Sequence, residues 1–241
     1  MSSVHKASFG HAVAIAAILG SLALAGCAST GTPVSEDPAD PQLKAMYAST
    51  QTEPFQVPAV KVSKIEPQYL RQIVFTPTTI SEPVGTIVVD PYNKFLYLVQ
   101  QGGQSLRYGI GVGRQGFSWA GEATIQEKQP WPKWFPPEEM QERDRFAAKF
   151  PNGMNGGPRN PLGARALYLF EGKCNGNNTR TEACKDTLYR LHGTSEPETI
   201  GRAVSSGCIR LLQQDVIDLY DRVPLGTRVV VLPGPGVPEA V

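Results

Sequence analysis

The sequence predicts a mainly β domain over residues 84–233 with short helices, preceded by an export signal and a proline-rich tether. Three observations predict it. Short apolar runs between positions 85 and 232 are separated by Gly- and Pro-containing turns, the spacing of strands. Only one stretch there, near the C-terminus, shows clear helical periodicity. Upstream, residues 28–83 hold eight prolines and sustain no period.

The leader belongs to a different class from the rest. Lys6 is the only charged residue before position 36 apart from His5 and His11. Ala12–Ala25 reads AVAIAAILGSLALA, about 14 small or apolar residues, short of the roughly 20 a spanning helix needs but fitting a signal-peptide core. It ends in Leu24-Ala25-Gly26-Cys27, which resembles the bacterial lipoprotein box. That resemblance implies a signal peptide over 1–26 and a lipid on Cys27. Ala28 stands where an inner-membrane lipoprotein would carry Asp. By resemblance to the sorting rule of double-membrane bacteria, this places the anchor in the outer membrane with the body facing the periplasm. The membrane is then a partner only through the N-terminal lipid.

Residues 27–83 read as the tether, whose flexible span is about 40 Å. A short helix near Gln42–Ser49 is compatible with it. The alternative is that 55–80 pack on the domain through Phe55, Tyr69 and Phe75.

From Gly85 the strands follow in order. Gly85–Val89, a turn at Asp90–Lys94 and Phe95–Gln100 read as strand, turn, strand. A second turn at Gln101–Gln104 leads into Leu106–Val112. Thr124–Lys128, Ala164–Phe170, Thr187–His192 and Thr227–Leu232 are further strands. Leu212, Val216, Leu219 and Tyr220 form one apolar helical face, closed by Pro224 and Gly226. Residues 234–241 are a tail. The formal charge of +1, from 23 Lys+Arg against 22 Asp+Glu without a basic run, excludes a nucleic-acid footprint.

The chain has four cysteines and three histidines. Cys27 goes to the lipid, and His5 and His11 leave with the signal. Cys174 and Cys184 bracket NGNNTRTEA, a polar loop, in a compartment where disulfides persist. The interval has no His and no CxxC spacing, so a bridge is expected there rather than a metal site. That leaves Cys208 outside the bridge, in Ser205-Ser206-Gly207-Cys208-Ile209-Arg210-Leu211, and His192 as the one remaining histidine, in Leu191-His192-Gly193-Thr194. A thiol needs a base to act near neutral pH, and imidazole supplies one. A Cys208–His192 nucleophile pair is the expected chemistry, with no metal and no cofactor.

These motifs resemble the L,D-transpeptidase catalytic domain of the YkuD or ErfK/YbiS type. The family pattern is His-Gly-Thr, a variable loop, then Ser-x-Gly-Cys-(Ile/Val)-Arg. The chain has Ser206 where the commoner form has a second His, which leaves all base work to His192. Gly113–Gly121, Trp131–Pro137 and Asn160-Pro161-Leu162-Gly163-Ala164-Arg165-Ala166 resemble further family segments, so the likeness spans about 84–233. Trp119, Trp131 and Trp134 are expected to pack rather than to line a sugar-facing cleft.

The resemblance implies a β-sandwich of YkuD type and a two-step acyl transfer. Cys208 would attack the bond before the terminal D-Ala of a peptidoglycan tetrapeptide stem, and an amine would take the thioester. His192 would donate and accept the proton, oriented by the backbone carbonyl of Gly193. Backbone N–H groups of Gly207 and Cys208 would form the oxyanion hole. Arg210, Ser205 and Thr194 would brace the loops or meet substrate. Peptidoglycan stem peptides are the implied partners and a carbapenem the implied inhibitor. The alternatives are an L,D-carboxypeptidase using water as acceptor, and a non-catalytic peptidoglycan-binding lipoprotein.

Overall fold

A computed structural model of the protein describes residues 40–113, 119–177, 180–205 and 208–234, with backbone alone at 204 and 205. The expected signal peptide, Cys27, Gly207 and the tail beyond 234 lie outside the described residues.

The chain runs through α1 (Pro41–Met46), β1 (Thr50–Thr52), β2 (Phe55–Val57), β3 (Gln72–Phe75), β4 (Ile87–Asp90), β5 (Phe95–Val99), β6 (Gln104–Gly109) and β7 (Val112–Gly113). It continues with β8 (Gly121–Pro130), α2 (Glu138–Arg143), β9 (Arg165–Gly172), β10 (Cys184–Gly193), β11 (Ala203–Ser205), β12 (Ile209–Leu211), α3 (Gln213–Arg222) and β13 (Arg228–Val231). The fold is mostly β with few short helices, as the alternating runs predict. All the expected strands are present, and α3 covers the expected helix.

Nine strands form one mixed sheet in the order β12-β10-β9-β8-β13-β4-β5-β6-β3. Parallel pairing joins β10 to β12 and β13 to β4. The sheet curls. Gly111, just past β6, exchanges backbone hydrogen bonds of 2.9 Å with Arg210 of β12, so the β12 edge meets the segment leaving β6. One core results, filled from strands at both ends. Ile87, Val89, Leu96, Tyr108, Ile125, Leu167, Leu191, Ile209 and Val229 share it with Val216 and Leu219 of α3. The period of two along each strand sends the alternate residues to the outer face. Each fully buried aliphatic side chain in such a core contributes about 1.5–3 kcal/mol. Lys128 Nζ donates to the carbonyls of Tyr220 at 2.6 Å and Val223 at 2.8 Å, which satisfies the end of α3.

The tether expectation is corrected for its described part. Residues 41–75 are folded elements on the domain. Tyr47, Val62, Ile65 and Leu70 form a buried cluster with Ile200 and Leu212. β3 extends the sheet by pairing antiparallel with β6. Gln214 Nε2 donates to the carbonyls of Ala48 and Pro58, both at 3.0 Å. The prolines break periodicity without preventing packing, because Tyr47, Val62, Ile65 and Leu70 find partners in distant elements. Phe55 stacks edge-on against Trp131, with centroids 5.0 Å apart, and Tyr69 lies against Phe95 at 5.4 Å. Phe75 is 84% exposed and does not pack.

Candidate active site

The site begins with the pairing of β10 and β12. These parallel strands set Leu191 beside Ile209, His192 beside Arg210 and Gly193 beside Leu211. Leu191, Ile209 and Leu211 point into the core. Alternation therefore sends Arg190, His192, Cys208 and Arg210 to the outer face. The 16 positions between His192 and Cys208 reduce to one strand spacing.

The strand is re-aimed just before the site. The register of β10 on β9 shifts between Asp186 and Arg190, and Leu188 has φ +64° and is 76% exposed. Such a bulge inserts residues that the partner strand does not match. Thr187 Oγ1 donates to the Leu169 carbonyl at 2.7 Å and accepts from the Tyr189 amide at 3.1 Å, which fixes the irregular turn. Arg190 leaves it held by Asp186 through two hydrogen bonds of 2.7 and 2.8 Å, with its guanidinium 4.4 Å from the centre of the Tyr168 ring.

His192 is 4% exposed. Its Nδ1 lies 2.6 Å from the Gly193 carbonyl oxygen. A carbonyl only accepts, so Nδ1 carries the proton and Nε2 keeps a free lone pair. Burial pulls the imidazole down to about 4, and the charges of Arg210 and Arg190 act in the same direction against the Gly193 hydrogen bond. Cys208 is half-buried and outside any disulfide. Burial pushes its thiol up, while the Arg190 charge, the Arg190 backbone amide and the Arg210 charge pull it down. Both shifts favour the uncharged forms of the two groups near neutral pH.

The other expected residues sit around this pair. Arg210 forms a 2.7 Å ion pair with Glu196. Thr194 is buried, and its Oγ1 accepts from the Glu196 amide at 3.0 Å, tying down the loop that carries Arg210's partner. Ser205 ends β11, which pairs with β7. Cys174 and Cys184 are joined by a disulfide. Trp131 and Trp134 are buried, and Trp119 stacks on Tyr189 with centroids 5.4 Å apart. Among the described residues no cluster of three His, Cys, Asp or Glu side chains could hold a metal, and no helix is long and apolar enough to cross a membrane.

The sequence reading did not single out Arg190 and its partner Asp186, or Gln213, whose side chain packs against Gly193. Arg190 carries a weak signal, lying two positions before His192 on the same face of a strand. Gln213 stands at the first position of α3, where a polar residue reads as solvated.

Comparison with known proteins shows the family. The model of the YkuD L,D-transpeptidase catalytic domain matches residues 85–231. The probable L,D-transpeptidase ErfK/SrfK of Escherichia coli K12 is 34% identical over 131 residues, 52% of this chain and 36% of that protein. The probable L,D-transpeptidase YbiS of the same strain is 31% identical over 164 residues, 66% of this chain and 47% of that protein. The chain thus spans less than half the length of these curated relatives. A solved chain from Brucella melitensis, described as a probable carnitine operon oxidoreductase, is 50% identical and covers 70% of this chain and 96% of its own length. Its TM-score is 0.44, too low for the superposition to support any conclusion. With the family model covering more than half of its length, the chain belongs to the YkuD family of L,D-transpeptidase catalytic domains.

Proposed function

We propose that the protein is an acyltransferase that works through a thioester on Cys208. The observation that carries this reading is the fixed tautomer of His192, whose Nδ1 is 2.6 Å from the Gly193 carbonyl, on the strand beside Cys208. Cys208 Sγ attacks the carbonyl carbon of the bond joining the L-centre of a diamino acid to the terminal D-Ala of a tetrapeptide stem. Its proton passes to His192 Nε2. The C–N bond breaks, and the D-Ala amine leaves with that proton. An acceptor amine then attacks the thioester, His192 takes its proton, and the thiol is regenerated. The Cys208 amide and that of Gly207 would hold the oxyanion, a single such donor being worth about 2.7–4 kcal/mol. Arg190 and Arg210 favour negative charge as it develops on the sulfur.

The leader supports a place for this chemistry. A lipid on Cys27 would anchor the enzyme to the outer membrane facing the periplasm, within reach of peptidoglycan. A carbapenem, whose strained ring is an activated acyl group, would acylate the same thiol.

The test is intact mass after incubation with a carbapenem, alongside turnover of a tetrapeptide with and without a diamino-acid acceptor. One adduct on the peptide holding Cys208, absent in Cys208→Ala, together with loss of turnover, supports the reading. Equal activity in Cys208→Ala overturns it. Release of D-Ala without a cross-linked product identifies water as the acceptor.

A further inference from the structure

We infer that Gln213 is a positioning residue for His192, acting through the backbone of Gly193. The inference rests on the reading of His192 as the base. The Gly193 carbonyl can hold the imidazole only if Gly193 itself is held. No side chain is available there to do so, and the structure shows why.

A Cβ on Gly193 would run into Gln213 Oε1, would lie 3.0 Å from Gln213 Cδ and would lie 3.1 Å from Val216 Cγ1. Gly193 is therefore pressed against the first turn of α3, and its missing side chain is the space that the Gln213 amide occupies. The far side of that amide meets a second glycine. A Cβ on Gly163, at φ +67°, would lie 2.6 Å from Gln213 Oε1, 2.8 Å from Gln213 Nε2 and 2.8 Å from the Gly193 carbonyl carbon. The three groups are nested, with the Gln213 side chain as the wedge.

Packing alone would let the amide rotate. Gln213 Oε1 accepts the backbone N–H of Ala164 at 2.9 Å, which sets its orientation. Ala164 is itself fixed, since its carbonyl accepts from the Trp131 amide at 2.8 Å. The Gly163 turn is anchored by fully buried Asn160. Asn160 Nδ2 donates to the carbonyls of Pro132, Met154 and Asn155 at 3.0–3.1 Å, and its Oδ1 accepts from the Leu162 amide at 2.8 Å. A rigid path thus runs from the Asn160 turn through Gln213 to Gly193 and the His192 ring. Removing the wedge leaves a void on the inner side of Gly193. The carbonyl that fixes the tautomer then gains freedom, and water gains access to the ring.

The experiment measures carbapenem acylation of Cys208 from pH 4 to 9 in wild type, Gln213→Ala, His192→Ala and the double variant. Gln213→Ala should slow acylation about 10–100-fold, the scale of a misplaced catalytic group. Its acid limb should move up from wild type toward the ordinary histidine value of about 6.5 as the ring rehydrates. In the His192→Ala background the same substitution should cost less than about twofold, because its effect passes through the ring. Multiplicative losses in the double variant, or an unshifted acid limb, would overturn the inference. Absence of acylation in wild type would instead remove the functional reading beneath it. If Gln213→Ala does not fold, Gln213→Met restores the volume without the acceptor, and the same slowing and shift are expected from it.

Discussion

The phenol of Tyr47 donates a hydrogen bond of 3.0 Å to Asp215 Oδ1, across 168 positions of sequence, and accepts the Arg71 amide at 2.7 Å. Asp215 is fully buried in the first turn of α3. Burial pushes its carboxyl up to about 7, with the Arg71 charge and the Tyr47 hydrogen bond opposing and Asp218 adding to the rise. The N-terminal segment thus supplies the donor for a carboxyl that α3 would otherwise bury without one.

Asp215 therefore sets a pH dependence of stability. Its folded pKa lies above the unfolded value near 3.9, so its contribution is full below about pH 4 and is lost as pH rises through about 7. Asp215→Asn keeps an acceptor for Tyr47 and removes the titration. Relative to wild type, the variant should gain about 2–3 kcal/mol between pH 5 and 8, levelling off above about pH 7. Urea midpoints at several pH values check this. A stability difference that stays flat across the range would contradict it.

The N-terminal segment should be indispensable. A chain starting at residue 84 loses β3, the Tyr47 cluster and the Gln214 partners. Four apolar side chains lose burial worth about 1.5–3 kcal/mol each as an upper bound, so its thermal midpoint should fall by about 10 °C or more. A chain starting at residue 40 should melt with the full-length protein. Equal melting of all three would return residues 41–83 to the role of a tether.

The acid limb of acylation should lie near pH 4 in wild type. His192 is lowered, so the neutral base persists well below the ordinary histidine range. Rates should stay flat from pH 8 down to about 5 and then fall. The alkaline side should show no fall, because ionisation of the raised Cys208 thiol yields the nucleophilic thiolate. Rates followed by mass spectrometry test this. Half-maximal acylation at pH 6.5 would mean a hydrated ring, with the buried geometry wrong.

The disulfide should matter for stability more than for chemistry. It spans ten positions, and closing such a loop contributes about 2–3 kcal/mol. Arg180, inside the loop, reaches Glu127 at 3.2 Å and Asp186 at 3.9 Å. Cys174→Ser with Cys184→Ser should lower the unfolding free energy by that amount, read from urea denaturation, and change acylation less than about threefold. Free-thiol titration of protein with Cys27 replaced should find one thiol before reduction and three after.

The sheet was legible because its strands read as alternating or continuous apolar runs with Gly and Pro turns between them. Cys208 and His192 stood out for a different reason, namely the scarcity of other candidates for a nucleophile and its base. The segment 41–75 hid because its stability is entirely tertiary. Tyr47, Ile65 and Leu70 follow no period, and their partners Ile200 and Leu212 are more than 100 positions away. Gln213 hid because its work is done on glycine backbone, which leaves no side-chain motif to read. Helix α2, six residues long within a proline-rich insertion, is too short to show a period.

The clasp of α3 by residues from the beginning of the fold also bears on the order in which the molecule assembles. Strand β4 pairs with β13 near the other end of the chain, and Tyr47 meets Asp215 only after nearly all of the intervening sequence exists. Contacts of such long range form late, after the loop-closure entropy has been met. A chain that has not yet closed these contacts lacks the ordered α3 against which Gly193 packs. Under the proposed mechanism, the order of assembly would then bring base and thiol together only as the fold closes.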